Sequence, residues 1–122
     1  MKGVVVTTDM EIHVEDFGEP LYKTVGAAVG GHIEHVLPLG LKKPYCMIVN
    51  EEGLLENLPI NSIGCLLYGT AFHQCPIVGD VVIMKDGFRN GEPDIVGLTD
   101  KEVDIISKEF ITLIARLKGE QS

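Results

Sequence analysis

No Cys-x-x-Cys pair occurs in the 122 residues, and Cys46, Cys65 and Cys75 form an odd, widely spaced set. That excludes a complete disulfide framework and the usual paired-cysteine zinc spacings. The expectation is three buried thiols in a reducing compartment. Basic residues are also scarce: 10 Lys and Arg stand against 18 Asp and Glu, for a net charge of −8. A chain with so few phosphate-neutralising groups is poorly suited to direct nucleic-acid binding or to an anionic lipid surface. No apolar run approaches the ~20 residues needed to cross a bilayer. The start of the chain meets Asp9 before it can build the apolar centre of a secretory signal. The sequence therefore reads as a soluble, cytoplasmic protein with no membrane partner. Catalytic signatures are missing as well. There is no Gly-x-Ser-x-Gly elbow, no His-Glu-x-x-His and no phosphate-cradling glycine loop with its lysine. Nothing names a nucleophile, so the expectation is a non-enzymatic protein without a cofactor.

What is present is a substantial apolar fraction, 45% of residues, in a chain long enough to bury one core without a metal or disulfide staple. Residues 2–7 and 11–15 read as two paired strands. The segment from Asp9 to Glu19 carries Asp9, Glu11, Glu15, Asp16 and Glu19 without one Lys or Arg, as expected of an exposed edge kept from pairing with other chains. Pro20 is placed just inside a short helix that ends at Gly30-Gly31. Strands follow at 32–37 and 45–50, separated by a turn. Asn61 can cap a second short helix running to about Gly69. Residues 77–84 read as a strand with a bulge or bend at Gly79-Asp80. Asp86-Gly87 and Asn90-Gly91 are both turn dipeptides, which implies a hairpin with a long or irregular loop. Thr99 and Glu102 form a capping box ahead of Val103, Ile106, Phe110, Leu113, Ile114 and Leu117, the stripe of a C-terminal amphipathic helix. Ile105 and Ile111 widen that stripe and point to a homo-oligomer contact. The resulting fold class is α+β: a single domain over residues 1–122, mainly antiparallel sheet, with two short helices and a longer C-terminal one.

Three constellations are candidates for chemistry. Gly30-Gly31, followed by His32 and Glu34, can be a helix C-cap or the floor of a pocket. Asn50-Glu51-Glu52-Gly53, together with Asn61, can be a solvated turn or a set of hydrogen-bonding groups for a small ligand. His32, His35 and the His73-Gln74-Cys75 run offer metal-ligand types. In a strand, however, His32 and His35 point to opposite faces, and structural zinc normally takes a closed four-ligand set.

The segments Val29-Gly30-Gly31-His32-Ile33-Glu34, Val49-Asn50-Glu51-Glu52-Gly53, Leu58-Pro59-Ile60-Asn61 and Val78-Gly79-Asp80-Val81 resemble, in that order, a family of small uncharacterised domains from phages, plasmids and other mobile elements. The resemblance spans about residues 21–85 and leaves the C-terminal hairpin and helix, residues 86–118, outside it. His32 departs from the pattern, which more often has an aromatic residue there. The resemblance implies an anti-defence context in the host cytoplasm. In that context the expected role is a small-molecule-binding protein, a homo-oligomer that sequesters a nucleotide signal, with Gly30, Gly31, His32, Glu34, Asn50, Glu51 and Asn61 around the ligand. Phosphates would be met by backbone N–H groups or by Lys42, Lys43 or Arg89. The alternative is an acidic protein-interaction module that blocks a host defence or DNA-binding protein.

Overall fold

The computed structural model describes residues 1–120 and turns the apolar runs into ten elements: β1 (Lys2–Val6), β2 (Ile12–Asp16), α1 (Leu21–Val29), β3 (Ile33–Val36), β4 (Tyr45–Asn50), α2 (Ser62–Tyr68), α3 (Thr70–His73), β5 (Val81–Arg89), β6 (Glu92–Val96) and α4 (Asp100–Glu120). This is the α+β class expected. The strands form one six-stranded sheet in the order β2-β1-β5-β4-β3, with β6 paired to β5 off that path. Every pairing is antiparallel. Lys85 pairs with Tyr45 on one side and Val96 on the other, so β6 continues along the same side of β5 as β1. The Leu98 N–H donates to the Lys2 carbonyl at 2.8 Å and closes that seam.

Period-two alternation divides the central strands cleanly. Val4, Val6, Met47, Val49, Val81 and Ile83 face one core, which α2 and α4 cover through Ile63, Leu67, Ile106 and Phe110. Val5, Cys46, Ile48, Val82 and Met84 face a second core, covered by Leu21, Val25 and Val29 of α1 and by Phe17. Burial on both faces explains why β1, β4 and the first half of β5 read as continuous apolar runs. By contrast β2, the outer strand, is exposed along most of its length, and its carboxylates guard the unpaired edge.

Helix ends follow the local chemistry. Gly30 adopts φ 85° and its N–H donates to the Gly26 carbonyl at 2.8 Å, while the Gly31 N–H reaches the same carbonyl at 3.0 Å. Pro20 is the N-cap of α1 rather than its first residue. The capping box of α4 forms in both directions: Thr99 N–H donates to Glu102 Oε1 at 2.8 Å, and Glu102 N–H to Thr99 Oγ1 at 3.2 Å. Lys85 Nζ also reaches Glu102 Oε1 at 2.8 Å, tying α4 to β5.

Burial alone pushes the Glu102 carboxyl up, but the hydrogen bonds from Lys85 and Thr99 and the Lys85 charge outweigh it and leave the group below its ordinary value. A carboxyl depressed in the folded state stabilises above its unfolded pKa and loses that contribution as pH falls through the folded value. Glu102→Gln is therefore expected to cost roughly 1–2 kcal/mol near neutrality and progressively less under acid. Urea unfolding of both proteins across pH 2 to 7 checks it: a cost that does not shrink toward low pH would contradict the charge argument.

The second half departs from the sequence reading in four places. Ile77 and Val78 precede β5, joined to Ile60 only by an isolated bridge to Val78, and the chain bends at Gly79, φ 77°, before β5 begins at Val81. Asp86-Gly87 is strand rather than turn, because a Cβ on Gly87 would lie 2.7 Å from Val96 Cγ2; the glycine makes room for a cross-strand side chain. Asn90-Gly91, with φ 53° and 78°, forms a tight two-residue connection instead of a long loop. Helix α3, whose residues carry no periodic signal, was not expected. Of the three thiols only Cys46 is fully buried, Cys65 being partly exposed and Cys75 exposed.

Candidate functional site

The β3–β4 hairpin brings the glycine pair against the Asn50 turn. Ile33 pairs with Asn50, so the residues that precede β3 lie beside those that follow β4. The Glu51 N–H donates to the His32 carbonyl at 2.8 Å. Asn50 is buried; its Nδ2 donates to the Val29 carbonyl at 3.2 Å and its Oδ1 accepts from the Glu52 N–H at 2.8 Å. A Cβ on Gly31 would sit 3.0 Å from Asn50 Nδ2. Gly31 is thus the residue that lets this amide reach across to the end of α1, a close approach rather than an unusual φ.

Asn61 is further still from solvent. It is fully buried, caps α2 by accepting from the Gly64 N–H at 2.8 Å, and donates through Nδ2 to the carbonyls of Val6 at 3.0 Å and Gly79 at 2.9 Å. All three contacts are internal, so its amide holds the ends of β1, α2 and the Gly79 bend together.

Two hollows flank this knot. On the α2 side, Glu34, Asn50 and Glu51 line a cleft of about 80 Å³ whose floor includes Val36, Val49 and Ile77. Tyr68, Cys75 and Val78 supply the opposite wall, and the His73 ring packs on Tyr68 with centroids 4.7 Å apart. On the α1 side, Gly30 lines a second hollow of about 260 Å³ with Thr8, Leu58, Pro59, Gly79 and Asp80, where Asp80 Oδ1 accepts from the Thr8 N–H at 3.0 Å. Of the expected residues, Glu34, Asn50 and Glu51 therefore share one cleft. Gly30 belongs to its neighbour, Gly31 and Asn61 are structural contacts, and His32 is exposed beside the turn it hydrogen-bonds. The wall formed by Tyr68 and residues 75–78 was missed, because nothing local marks that segment; it is placed by the Asn61 N–H bond to the Ile77 carbonyl at 2.9 Å.

The charge of the cleft is one-sided. Glu34 and Glu51 stand exposed on its rim, and among the described residues no Lys or Arg lines it. Arg89, expected to meet a phosphate, instead pairs with Glu19 and with Asp94. Lys42 lies in a different groove, beside α4 with Leu41 and Tyr45.

A separate constellation lies on the α1 face of the sheet. His35, Cys46 and Asp86 bring their ligand-type atoms within 4.8 Å of one another. Burial, then the Asp86 charge and its hydrogen bond with the thiol, push Cys46 up to about 12. A group so held is a neutral thiol at pH 7 and not an activated nucleophile.

The fold and site define a small three-layer α+β domain with polar turns gathered at one end of its sheet. By sequence the chain belongs to a family described as a domain of unknown function (DUF3846), matched over residues 1–111. The match takes in the acidic β1–β2 hairpin, the β5–β6 hairpin and the first half of α4, well beyond the 21–85 stretch read from motifs. No curated protein and no solved structure matches the chain. Among the described residues, no helix is long and apolar enough to cross a membrane.

Proposed function

We propose that the chain is a binding protein, and that the cleft beside the Asn50 turn takes the hydrogen-bond-donating end of a small ligand. The observation that carries this reading is that two exposed carboxylates, Glu34 and Glu51, line one cleft with Val36, Val49 and Ile77, and that among the described residues no Lys or Arg lines it with them. Convergent polar groups of this kind fix the orientation of a bound group. Carboxylates accept and do not donate when ionised, so the complementary group is an ammonium, an amidine or the N–H edge of a nucleobase. At about 80 Å³ the cleft has room for a group of two or three heavy atoms, given the ~30 Å³ a water occupies in the liquid. The rest of the ligand lies over the rim. A nucleotide, the ligand implied by the anti-defence context, would enter by its base, its phosphates repelled by the two carboxylates. The buried amides of Asn50 and Asn61 then serve to hold the rim rigid rather than to touch ligand.

Melting curves with a panel of polyamines, nucleosides and nucleotides at millimolar concentration test the reading. Amines or nucleosides are expected to raise the melting temperature. The Glu34→Gln/Glu51→Gln variant is expected to bind at least tenfold more weakly while melting, unliganded, within a degree or two of the parent. No shift from any member of the panel, or nucleotides binding better than their nucleosides, would overturn it.

A further inference from the structure

The sheet register places three metal-ligand side chains on adjacent strands. His35 of β3 lies opposite Ile48 of β4, two residues from Cys46; Cys46 lies opposite Met84 of β5, two residues from Asp86. Steps of two keep a side chain on the same face, and such diagonal neighbours are within reach of one another. All three therefore project from the α1 side of the sheet. His35 Nε2 and Asp86 Oδ1 already approach to 2.7 Å, and the three ligand atoms, the Cys46 Sγ included, fall within 4.8 Å.

We propose that His35, Cys46 and Asp86 form a binding site for one divalent transition-metal ion of the zinc class. The donor set decides the class: one sulfur, one imidazole nitrogen and one carboxylate oxygen suit zinc or its cobalt substitute, whereas calcium and magnesium select oxygen. Charge agrees, since one thiolate and one carboxylate together neutralise a dication. Metal–ligand lengths of roughly 2.0–2.3 Å put the ligand atoms of a tetrahedral site about 3.3–3.8 Å apart. Cys46 is buried in the sheet, whereas His35 and Asp86 are partly exposed, so these two are the side chains that would rotate to meet that spacing. Binding exchanges the Sγ–H bond of Cys46 for an Sγ–metal bond and releases the proton to solvent. Three protein ligands leave the fourth position to water, the arrangement of open rather than purely structural zinc sites. This site lies on a different face from the carboxylate cleft and stands or falls independently of it.

The test is titration of the purified chain with zinc in competition with a chromophoric chelator, and with cobalt followed by absorbance. One equivalent is expected to bind, with tetrahedral cobalt bands and a thiolate-to-cobalt charge-transfer band. His35→Ala and Asp86→Ala, at partly exposed positions, are each expected to weaken binding at least tenfold, and Cys46→Ala to remove the thiolate band. His73→Ala/Cys75→Ser, which deletes the exposed histidine–cysteine pair, is expected to bind as the parent does. Absence of the thiolate band, unchanged affinity in both the His35 and Asp86 variants, or loss of binding in the His73/Cys75 variant would each overturn the proposal.

Discussion

Asn61→Ala is expected to lower the stability of the protein by about 3–5 kcal/mol, a loss visible without any ligand present. The side chain is fully buried and its amide makes three hydrogen bonds: Oδ1 to the Gly64 N–H, Nδ2 to the Val6 and Gly79 carbonyls. Alanine leaves one donor and two acceptors buried without these partners, each at a cost of roughly 1–3 kcal/mol, the cap itself being worth about 1. The terms overlap, because β1, α2 and the Gly79 bend meet at this one residue and relax together. Two further variants separate them. Asn61→Ser retains a cap acceptor and recovers about 1 kcal/mol. Asn61→Asp also retains it but turns a carboxylate toward two carbonyl oxygens, so it is expected to do no better than alanine at neutral pH. Urea unfolding of the four proteins is the measurement, and a loss under 1 kcal/mol in Asn61→Ala would show that the three elements are held by something else. The same experiment distinguishes a scaffold residue from a ligand contact. Asn61 acts on unfolding with no ligand added, whereas Glu34 and Glu51 are proposed to act on binding alone.

Asn61 also shows how far the sequence could be read. Its capping of α2 was visible from an Asn ahead of an apolar segment ending at Gly69, a local signal between residues three apart. Its two carbonyl partners were not, since Val6 and Gly79 reach it only through the order of strands. The same division runs through the fold. Residues 45–50 and the capping box at Thr99 and Glu102 are legible because a short apolar run bounded by turns and a helix cap are both local signals. The position of β5 between β1 and β4 is not, because pairing partners are set by contacts remote along the chain. The Asp86-Gly87 dipeptide misled for a related reason: a glycine that admits Val96 looks, in one dimension, like a glycine that makes a turn. At the candidate site, Glu34, Asn50 and Glu51 share a cleft because β3 and β4 form a sequential hairpin, the simplest long-range inference available. The wall at Tyr68 and Cys75, and the meeting of His35, Cys46 and Asp86, depend on which elements neighbour one another and left no mark in residue spacing.

Phe110→Ala is expected to cost ~3–5 kcal/mol, the range for truncating a buried aromatic side chain. Phe110 and Ile106 are 2% and 1% exposed, and both pack with Val4, Val6, Val81 and Ile83 in the core beneath α4. The next residue supplies the control. Ile111 is 59% exposed, so Ile111→Ala alters the same turn of helix with little loss of packing and is expected to change stability by no more than about 0.5 kcal/mol. Ile105 and Ile111 do not form the single broadened stripe expected from the sequence. Six residues apart, they fall on opposite flanks of the buried row. Ile105 faces a groove of about 490 Å³ with Leu41 and Tyr45, and Ile111 one of about 460 Å³ with Met10 and Ile12. Self-association through either groove would therefore appear as a change in sedimentation in the Ile105 or Ile111 variant, leaving the unfolding free energy of the monomer as it was. Phe110→Ala, in contrast, acts on the seat of the helix itself, inside the stretch the family shares. Chemical denaturation of the two alanine variants decides the matter. If Phe110→Ala and Ile111→Ala differ by less than 1 kcal/mol, α4 is not anchored to the sheet through its buried row, and the core beneath it has to be supported by other contacts.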